Sequence, residues 1–208
     1  LAVGLTPQLL PAIINVNLSK GAQAMASAGV IVRRLASIEN FGSMDVLCTD
    51  KTGTLTEGVV RLDGALDVAS EKSDAVLRDA TLNAQLQTGL VNPLDEAIIA
   101  SSSADTSGAT KLDEIPYDFV RKRLGIVVQD GAERLLIVKG ALEHVLSVCV
   151  SVQDGDEAVL LDDAHHQTIM QRFQAWSGQG YRVLGVAAKT VAEQPAYSRD
   201  DEHGLTFR

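Results

Sequence analysis

Hydrophobic positions in the second half of the chain recur with two spacings, one helical and one extended. Apolar side chains return at helical intervals over 71–88 and again over 163–177. A third helix is expected directly after Pro93, because proline suits the first turn of a helix. Other short runs have the character of strands. These runs are 111–118, 124–130 and 133–139, with a longer one at 181–191.

The connections between these elements carry loop and turn signals. Asp130–Gly131 separates two of the strand-like runs and predicts a tight hairpin. Residues 101–110 are almost entirely polar, which indicates a loop, and helical spacing returns over 141–149. The second half of the chain therefore contains both helices and strands.

The first half has shorter apolar runs between polar loops. Helical character covers 18–29, a stretch rich in alanine. VIVRR at 30–34 and DVLCT at 45–49 have the composition of short strands. Residues 59–68 alternate like a strand or a hairpin.

Residues 1–18 form the most apolar stretch of the chain. The stretch is shorter than the roughly 20 residues that span a bilayer, and Pro7 and Pro11 interrupt it. It lacks the basic start and the cleavage site of a signal peptide. Two interpretations remain open: a buried helix of a soluble domain, or the cytoplasmic end of a membrane helix.

Composition narrows the range of partners. The chain has 208 residues, of which 46% are hydrophobic and 22% are charged, as in a packed globular protein. A net charge of −9 argues against nucleic acid as a partner, because phosphate backbones bind basic surfaces. An anionic ligand would need a local cluster of basic residues. Cys48 and Cys149 lie in apolar runs outside any metal-binding pattern, so we predict two buried free thiols.

The segment DVLCTDKTGTLT carries the clearest chemistry. It brings Asp50 to the end of an apolar run, where a carboxylate can attack a phosphoryl group and hold it as an acyl phosphate. Such a step needs neutralised charge and a metal ion. Lys51 supplies a cation, Thr52 offers a hydroxyl and an amide, and Gly53 lets the backbone approach a phosphate. Mg²⁺ would bind oxygens of Asp50 and of a backbone carbonyl.

The residue two places after Asp50 separates two kinds of chemistry. Phosphatases with an aspartate nucleophile carry a second aspartate there as the general acid. Here the residue is Thr52, which is a poor proton donor and a poor base. We therefore expect a phosphoenzyme that persists. A soluble aspartate-nucleophile phosphatase remains the alternative from another class.

DKTGTLT resembles the phosphorylation motif of the P-type ATPases, cation pumps that cycle through an aspartyl phosphate. TPQLLPAIINVNLSK at 6–20 resembles the cytoplasmic half of the fourth membrane helix of that family. The resemblance implies an α/β architecture. In it, an α+β nucleotide-binding domain, with an antiparallel sheet flanked by helices, is inserted in a HAD-like Rossmannoid phosphorylation domain. It also implies ATP and Mg²⁺ as cofactors.

The resemblance also assigns nucleotide contacts. In IPYDFVRKRLGIVV, Tyr117 falls where an aromatic ring stacks on adenine, and Lys122 falls where a basic residue reaches the nucleotide. VKGA resembles the element that places Lys139 and Gly140 at the floor of the pocket. In NPLDEAI, Asp95 would meet the adenine amino group, with Glu96 as the neighbouring option. The further phosphate contact falls in YRVLGVAAK, at Arg182.

Each of these residues also has a plain structural interpretation. Tyr117 follows a proline and fits an ordinary strand. The basic run 121–123 fits a solvated turn, and Lys139–Gly140 fits the start of a helix. Together, however, they would give an acidic chain the cationic and aromatic pocket that ATP needs.

The resemblance divides the chain into four parts, and we expect both of its ends to lie inside a longer protein. Residues 1–20 would end a membrane helix, and 21–58 would begin the phosphorylation domain. Residues 59–190 would form the nucleotide-binding domain, and 191–208 would return to the phosphorylation domain. TPQLLP and NLSKGA look most like the bacterial magnesium-transporting branch, with calcium and proton pumps as alternatives.

The same resemblance implies the partners and the location. They are the actuator domain, the membrane helices and the rest of the phosphorylation domain, at the cytoplasmic side of the plasma membrane. The motifs GDGxNDxP and TGE do not occur in this sequence. We therefore expect the 208-residue chain to bind ATP without sustained hydrolysis, and a non-catalytic nucleotide-binding module describes it equally well.

Overall fold

The computed structural model describes residues 2–51, 53–56, 58–89, 92–155 and 157–208, with the side chains from residue 9 onward. The chain divides into two compact units. The first unit runs to Gly58, and the second unit is Val59–Arg208.

The described part of the first unit contains two helices. Helix α1 spans Ala2–Ser27 and α2 spans Ser37–Phe41. Gly29 follows α1 with a φ of +83°, the left-handed conformation that commonly terminates helices. None of the helices in the described residues is both long and apolar enough to cross a membrane.

The strands predicted at 30–34 and 45–49 are wrong for this structure. Both segments are irregular, and the described residues of the first unit contain no strand at all. A strand needs a partner for its backbone hydrogen bonds, and an apolar run without a partner stays irregular. Cys48, predicted to be buried in this run, is exposed.

The second unit is built on a sheet that contains seven strands within the described residues, in the order β1-β2-β3-β6-β7-β4-β5. All neighbours pair antiparallel except β4 and β7, which are parallel. The strands are β1 Ala109–Ile115, β2 Arg123–Asp130, β3 Glu133–Ala141, β4 Cys149–Asp154, β5 Glu157–Leu160, β6 Leu184–Thr190 and β7 Leu205–Phe207.

Local signals predicted one half of this sheet correctly. The strands β1, β2, β3 and β6 overlap the runs predicted at 111–118, 124–130, 133–139 and 181–191. Asp130 pairs with Glu133 across a two-residue turn, in which Gly131 has a φ of +59°. This pairing confirms the predicted hairpin. Glycine suits the turn because it adopts a positive φ without strain.

The other half was not predicted. β7 lies between β6 and β4 in the sheet, so residues 205–207 belong to the same compact unit as the rest of it. The expectation that 191–208 return to the phosphorylation domain stays a prediction. Residues 59–68, expected to form a strand or a hairpin, contribute one isolated bridge, between Leu66 and Lys72.

Four helices of the described residues cover the sheet, and side-chain caps explain where three of them begin. They are α3 Asp74–Leu86, α4 Pro93–Ser101, α5 Leu142–Leu146 and α6 Asp163–Gly178. The Asn92 side chain accepts the Leu94 amide at 3.0 Å, directly before Pro93. The side chains of Ser73 and Asp162 cap α3 and α6 in the same way.

The two faces of the sheet carry separate cores, as strand alternation requires. On β3, Leu136 and Val138 face α5 and α6, whereas Ile137 faces α3 and α4. Asn83 of α3 donates its side-chain amide to the carbonyls of Leu124 and Ile137, at 3.2 and 3.0 Å. This mostly antiparallel sheet between helices confirms the α/β class.

The second cysteine also differs in part from the prediction. Cys149, at the start of β4, is free and partly buried, and its thiol donates to the Val145 carbonyl at 3.2 Å. Burial raises the pKa of this thiol to about 12, with a smaller opposing effect from Arg123. A thiol with that pKa is not a nucleophile at neutral pH.

Candidate functional site

The predicted nucleotide residues of the second unit meet at one end of the sheet. We call it the loop end: β1 and β3 finish there, and β2 and β6 begin there. The end of α3 lies there too, because Thr88 donates its amide and hydroxyl to Glu114 near the end of β1, at 2.9 and 2.8 Å. The residues brought to this end are Asp95, Glu96, Tyr117, Lys122, Lys139, Gly140 and Arg182.

A buried ion pair lies at the loop end. The ammonium of Lys139 on β3 contacts Asp95 in the first turn of α4, and each side chain is 7% exposed. Gln87, just after α3, donates its amide to the other oxygen of Asp95. Burial lowers the pKa of Lys139, and Asp95 opposes that shift. Glu96, the neighbouring carboxylate, is exposed.

Gly140 is required by a close approach of two chain segments. A Cβ atom at this position would lie 2.3 Å from the Lys122 carbonyl oxygen and 2.6 Å from the Arg123 Cα. The Lys122 carbonyl instead accepts the Ala141 amide at 2.9 Å. The glycine therefore lets the start of β2 lie against the end of β3.

The segment Pro116–Lys122 between β1 and β2, here called the aromatic loop, exposes two rings. Tyr117 is 49% exposed and Phe119 is 87% exposed. Their ring centroids are 5.6 Å apart with an interplanar angle of 88°, a favourable edge-to-face pair. Sequence analysis did not identify Phe119, although its position two residues after Tyr117 was a signal.

Hydrogen bonds within the aromatic loop fix its course. Asp118 accepts the amides of Val120 and Arg121 at 2.8 and 2.7 Å, and its other oxygen contacts the Arg121 guanidinium. These bonds hold the pKa of Asp118 at about 2. Lys122 ends the loop with a φ of +48°, an uncommon conformation for a side chain with a Cβ.

The predicted basic run at 121–123 is divided between two roles. Arg121 and Arg123 both bind Glu202, whose side chain is fully buried. Lys122 and Arg182 are exposed and form no ion pair with any described residue. Two cations at the loop end are therefore free for an anionic ligand, and Glu202 is a second residue that sequence analysis missed.

The Asp50 segment belongs to the first unit and forms an exposed turn. The Lys51 carbonyl accepts the amides of Leu55 and Thr56, both at 3.1 Å. Gly53 has a φ of +77°, a conformation that favours glycine. The turn therefore depends on the glycine of the motif.

The metal prediction at this turn is only partly addressed by the structure. Asp50 offers oxygen donors, which Mg²⁺ prefers, whereas Thr52 lies outside the described residues. No group of three or more His, Cys, Asp or Glu side chains in the described part of the chain is arranged to hold a metal ion.

One pocket in the described part of the second unit lies elsewhere, between α6, β6 and residues 66–68. Arg172 and Trp176 of α6 line it, together with Val183 and Val186. None of the predicted site residues lines this pocket. Trp176 is half-buried there.

The loop end has the chemistry of a site for a ligand with a flat ring and an anionic tail. Exposed rings offer surface for stacking, and Lys122 and Arg182 offer positive charge. Residues 58–208 match the family model of the P-type ATPase cytoplasmic domain N. The chain belongs to the P-type ATPase family.

Individual P-type ATPases match the chain over nearly its whole length. It is 42% identical to the magnesium-transporting ATPase, P-type 1, of Salmonella typhimurium, over 99% of this chain and 24% of that protein. The Escherichia coli K12 protein of the same name is also 42% identical, over 98% of this chain. Calcium-transporting ATPase 1 of Bacillus cereus is 28% identical over 91%. The chain spans about a quarter of the length of these relatives.

Replacing Gly140 by alanine tests the close approach at the loop end. The new methyl group would overlap the backbone of Lys122 and Arg123. We expect the free energy of unfolding of the second unit to fall by about 1–3 kcal/mol, the usual cost of overpacking. Urea unfolding followed by tryptophan fluorescence measures it, because Trp176 is the one tryptophan of the sequence.

Gly178→Ala is the matched control. This glycine lies in the last turn of α6, and a Cβ there would meet no other atom within 4 Å. The control should leave stability unchanged or slightly raised, because alanine favours helix. Equal stability of the Gly140→Ala chain and the wild type would contradict the proposed close approach.

Proposed function

We propose that this chain is the nucleotide-binding part, together with the phosphorylation segment, of a P-type pump that uses ATP to transport magnesium across a membrane. The observation that carries the proposal is the 42% identity to magnesium-transporting ATPases, which extends through both units. The lower identity to a calcium-transporting relative favours magnesium over calcium. Membership of the family disfavours a soluble phosphatase.

ATP would bind at the loop end of the second unit. Adenine would stack on Tyr117 and meet Phe119 at its edge, since both rings are exposed. The carboxylate of Asp95 would accept the adenine amino group beside Lys139, with Glu96 as the neighbouring acceptor. Lys122 and Arg182 would meet the phosphates, because both are exposed and unpaired among the described residues.

Asp50 would be the nucleophile. One carboxylate oxygen would form a bond to the γ-phosphorus while the bond to the β–γ bridging oxygen breaks, and ADP would leave. Lys51 would place a positive charge beside the transferred group. Bound Mg²⁺, held by Asp50 and by Thr52, would neutralise part of the phosphate charge.

The rest of the pump would supply the domains that this chain does not contain. We infer that the chain works at the cytoplasmic side of the plasma membrane, with an actuator domain, membrane helices and the rest of the phosphorylation domain as its partners. The chain spans about a quarter of the length of its relatives, which supports such an arrangement.

Replacing Lys139 by methionine tests the nucleotide site. We expect the dissociation constant of ATP, measured by calorimetry on the 208-residue chain, to rise about tenfold or more, as a lost charge-assisted contact predicts. The variant also leaves Asp95 buried without its cation. Thermal unfolding, followed by Trp176 fluorescence, must therefore show that the variant is folded at the temperature of the titration.

Lys189→Met controls for the loss of a lysine. Lys189 lies near the opposite end of β6 and donates to the His203 carbonyl at 2.8 Å. This control should bind ATP as the wild type does. Unchanged affinity in a folded Lys139→Met chain would remove Lys139 from the site.

Replacing Asp50 by asparagine in the full-length pump tests the phosphorylation step. The amide is a poor nucleophile, so acid-stable incorporation of ³²P from labelled ATP should be abolished. ATP binding should persist, because the nucleotide residues lie in the other unit. Labelling at the wild-type level would exclude Asp50 as the nucleophile.

A further inference from the structure

Glu202 has an unusual environment for a carboxylate. Its side chain is fully buried, and one oxygen accepts hydrogen bonds from two guanidinium groups, Arg121 and Arg123, the latter at 2.8 Å. A buried charge requires such pairing. The two arginines come from the end of the aromatic loop and from the first residue of β2, so both contacts act at the loop end.

Arg121 extends this contact across the aromatic loop. Its guanidinium donates to the Pro116 carbonyl at 2.7 Å and contacts the Asp118 carboxylate. Pro116 begins the loop, and Asp118 accepts two of its backbone amides. One arginine, held by Glu202, therefore bonds the segments on both sides of Tyr117.

The position of Glu202 is itself fixed. It follows a 3₁₀ turn, Arg199–Asp201, that begins with a capping box at Ser198. Three residues later the chain enters β7, within the sheet. The absence of a side chain at Gly125 gives the carboxylate its space, because a Cβ there would lie 3.2 Å from a Glu202 oxygen.

We propose that Glu202 is a positioning residue for the nucleotide: through Arg121 it holds the aromatic loop so that Tyr117 and Phe119 are ready to receive the base. The inference rests on the proposed function, since it requires ATP to bind at the loop end. Glu202 does not touch the ligand. Its effect is to order the loop before binding, which lowers the entropy lost on binding.

Two substitutions weaken the contact between Glu202 and Arg121 without removing a proposed ligand contact. Glu202→Gln keeps the shape of the side chain and removes its charge. Arg121→Lys keeps a positive charge but loses the planar group that reaches Pro116, Asp118 and Glu202 together. We expect each change to raise the dissociation constant of ATP about tenfold in calorimetry on the 208-residue chain, the effect of one lost charge-assisted hydrogen bond.

Matched controls separate positioning from general stability. Asp79→Asn neutralises another buried carboxylate, which pairs with Arg208 at 3.2 Å. Arg78→Lys alters another arginine that forms more than one bond, since two of its guanidinium nitrogens contact the Asp130 carboxylate at the opposite end of β2. Both controls should bind ATP as the wild type does.

Hydrogen exchange of the ligand-free chain supplies the second readout. The amides of Val120 and Arg121 both donate to Asp118 and should exchange slowly. In the Glu202→Gln and Arg121→Lys chains they should exchange about tenfold faster. Amides at the centre of β3, such as that of Ile137, should keep their protection, so a merely global loss of stability would be recognised.

The outcomes distinguish the two proposals. If the wild type binds ATP and neither substitution changes the dissociation constant, the positioning role is overturned and the proposed function is not. The same holds if the control substitutions raise the dissociation constant as much. Weaker binding with unchanged exchange of the loop amides would also overturn it. A wild-type chain that does not bind ATP would overturn the proposed function and this inference with it. If Glu202→Gln does not fold, Arg121→Lys decides the question.

Discussion

A charge removed from water must be paired, and this constraint organises the loop end of the second unit. Asp95 is buried against Lys139, and Glu202 is buried against Arg121 and Arg123. Breaking a buried pair by removing one partner typically costs 3–5 kcal/mol, or about a third to a half of the stability of a small domain. The two clusters therefore tie α4, the aromatic loop and the start of β7 to the sheet.

The same constraint decides which charges remain for a ligand. The chain carries a net charge of −9, so an anionic nucleotide needs a local excess of cations. The carboxylates at the loop end engage most of its basic residues. Lys122 and Arg182 are exposed instead, at the same end of the sheet as the exposed rings of the aromatic loop. This division separates residues that shape the site from residues that would contact phosphate.

Local sequence signals predicted the elements whose cause is local. Asp130–Gly131 specifies the β2–β3 hairpin by its own conformation, and Asn92–Pro93 specifies the start of α4. β4 and β7 were missed, because their pairing joins residues more than 50 positions apart. Periodicity does not carry such information. The apolar run before Asp50 shows the converse, since its strand-like composition finds no partner strand among the described residues.

The residues of the candidate site also fall into two groups: those that the sequence identified and those whose role only the fold reveals. The resemblance to a known family identified Asp95 and Lys139, and the structure pairs them. It also singled out Lys122 from the arginines on either side, but the physical reason for the difference, that both arginines bind the distant Glu202, is visible only in the structure. Phe119 could have been proposed from its spacing to Tyr117, but only the edge-to-face geometry makes the two rings one surface.

The most direct test of this account is an NMR titration of the 208-residue chain with ATP, followed through its backbone amides. If the loop end is the nucleotide site, the shifted amides will cluster there, in the aromatic loop and around Lys139 and Arg182. The amides around the pocket beside Trp176 will remain unchanged. Shifts centred on that pocket, or an absence of shifts at millimolar ATP, would contradict the central claim that the loop end is the nucleotide site.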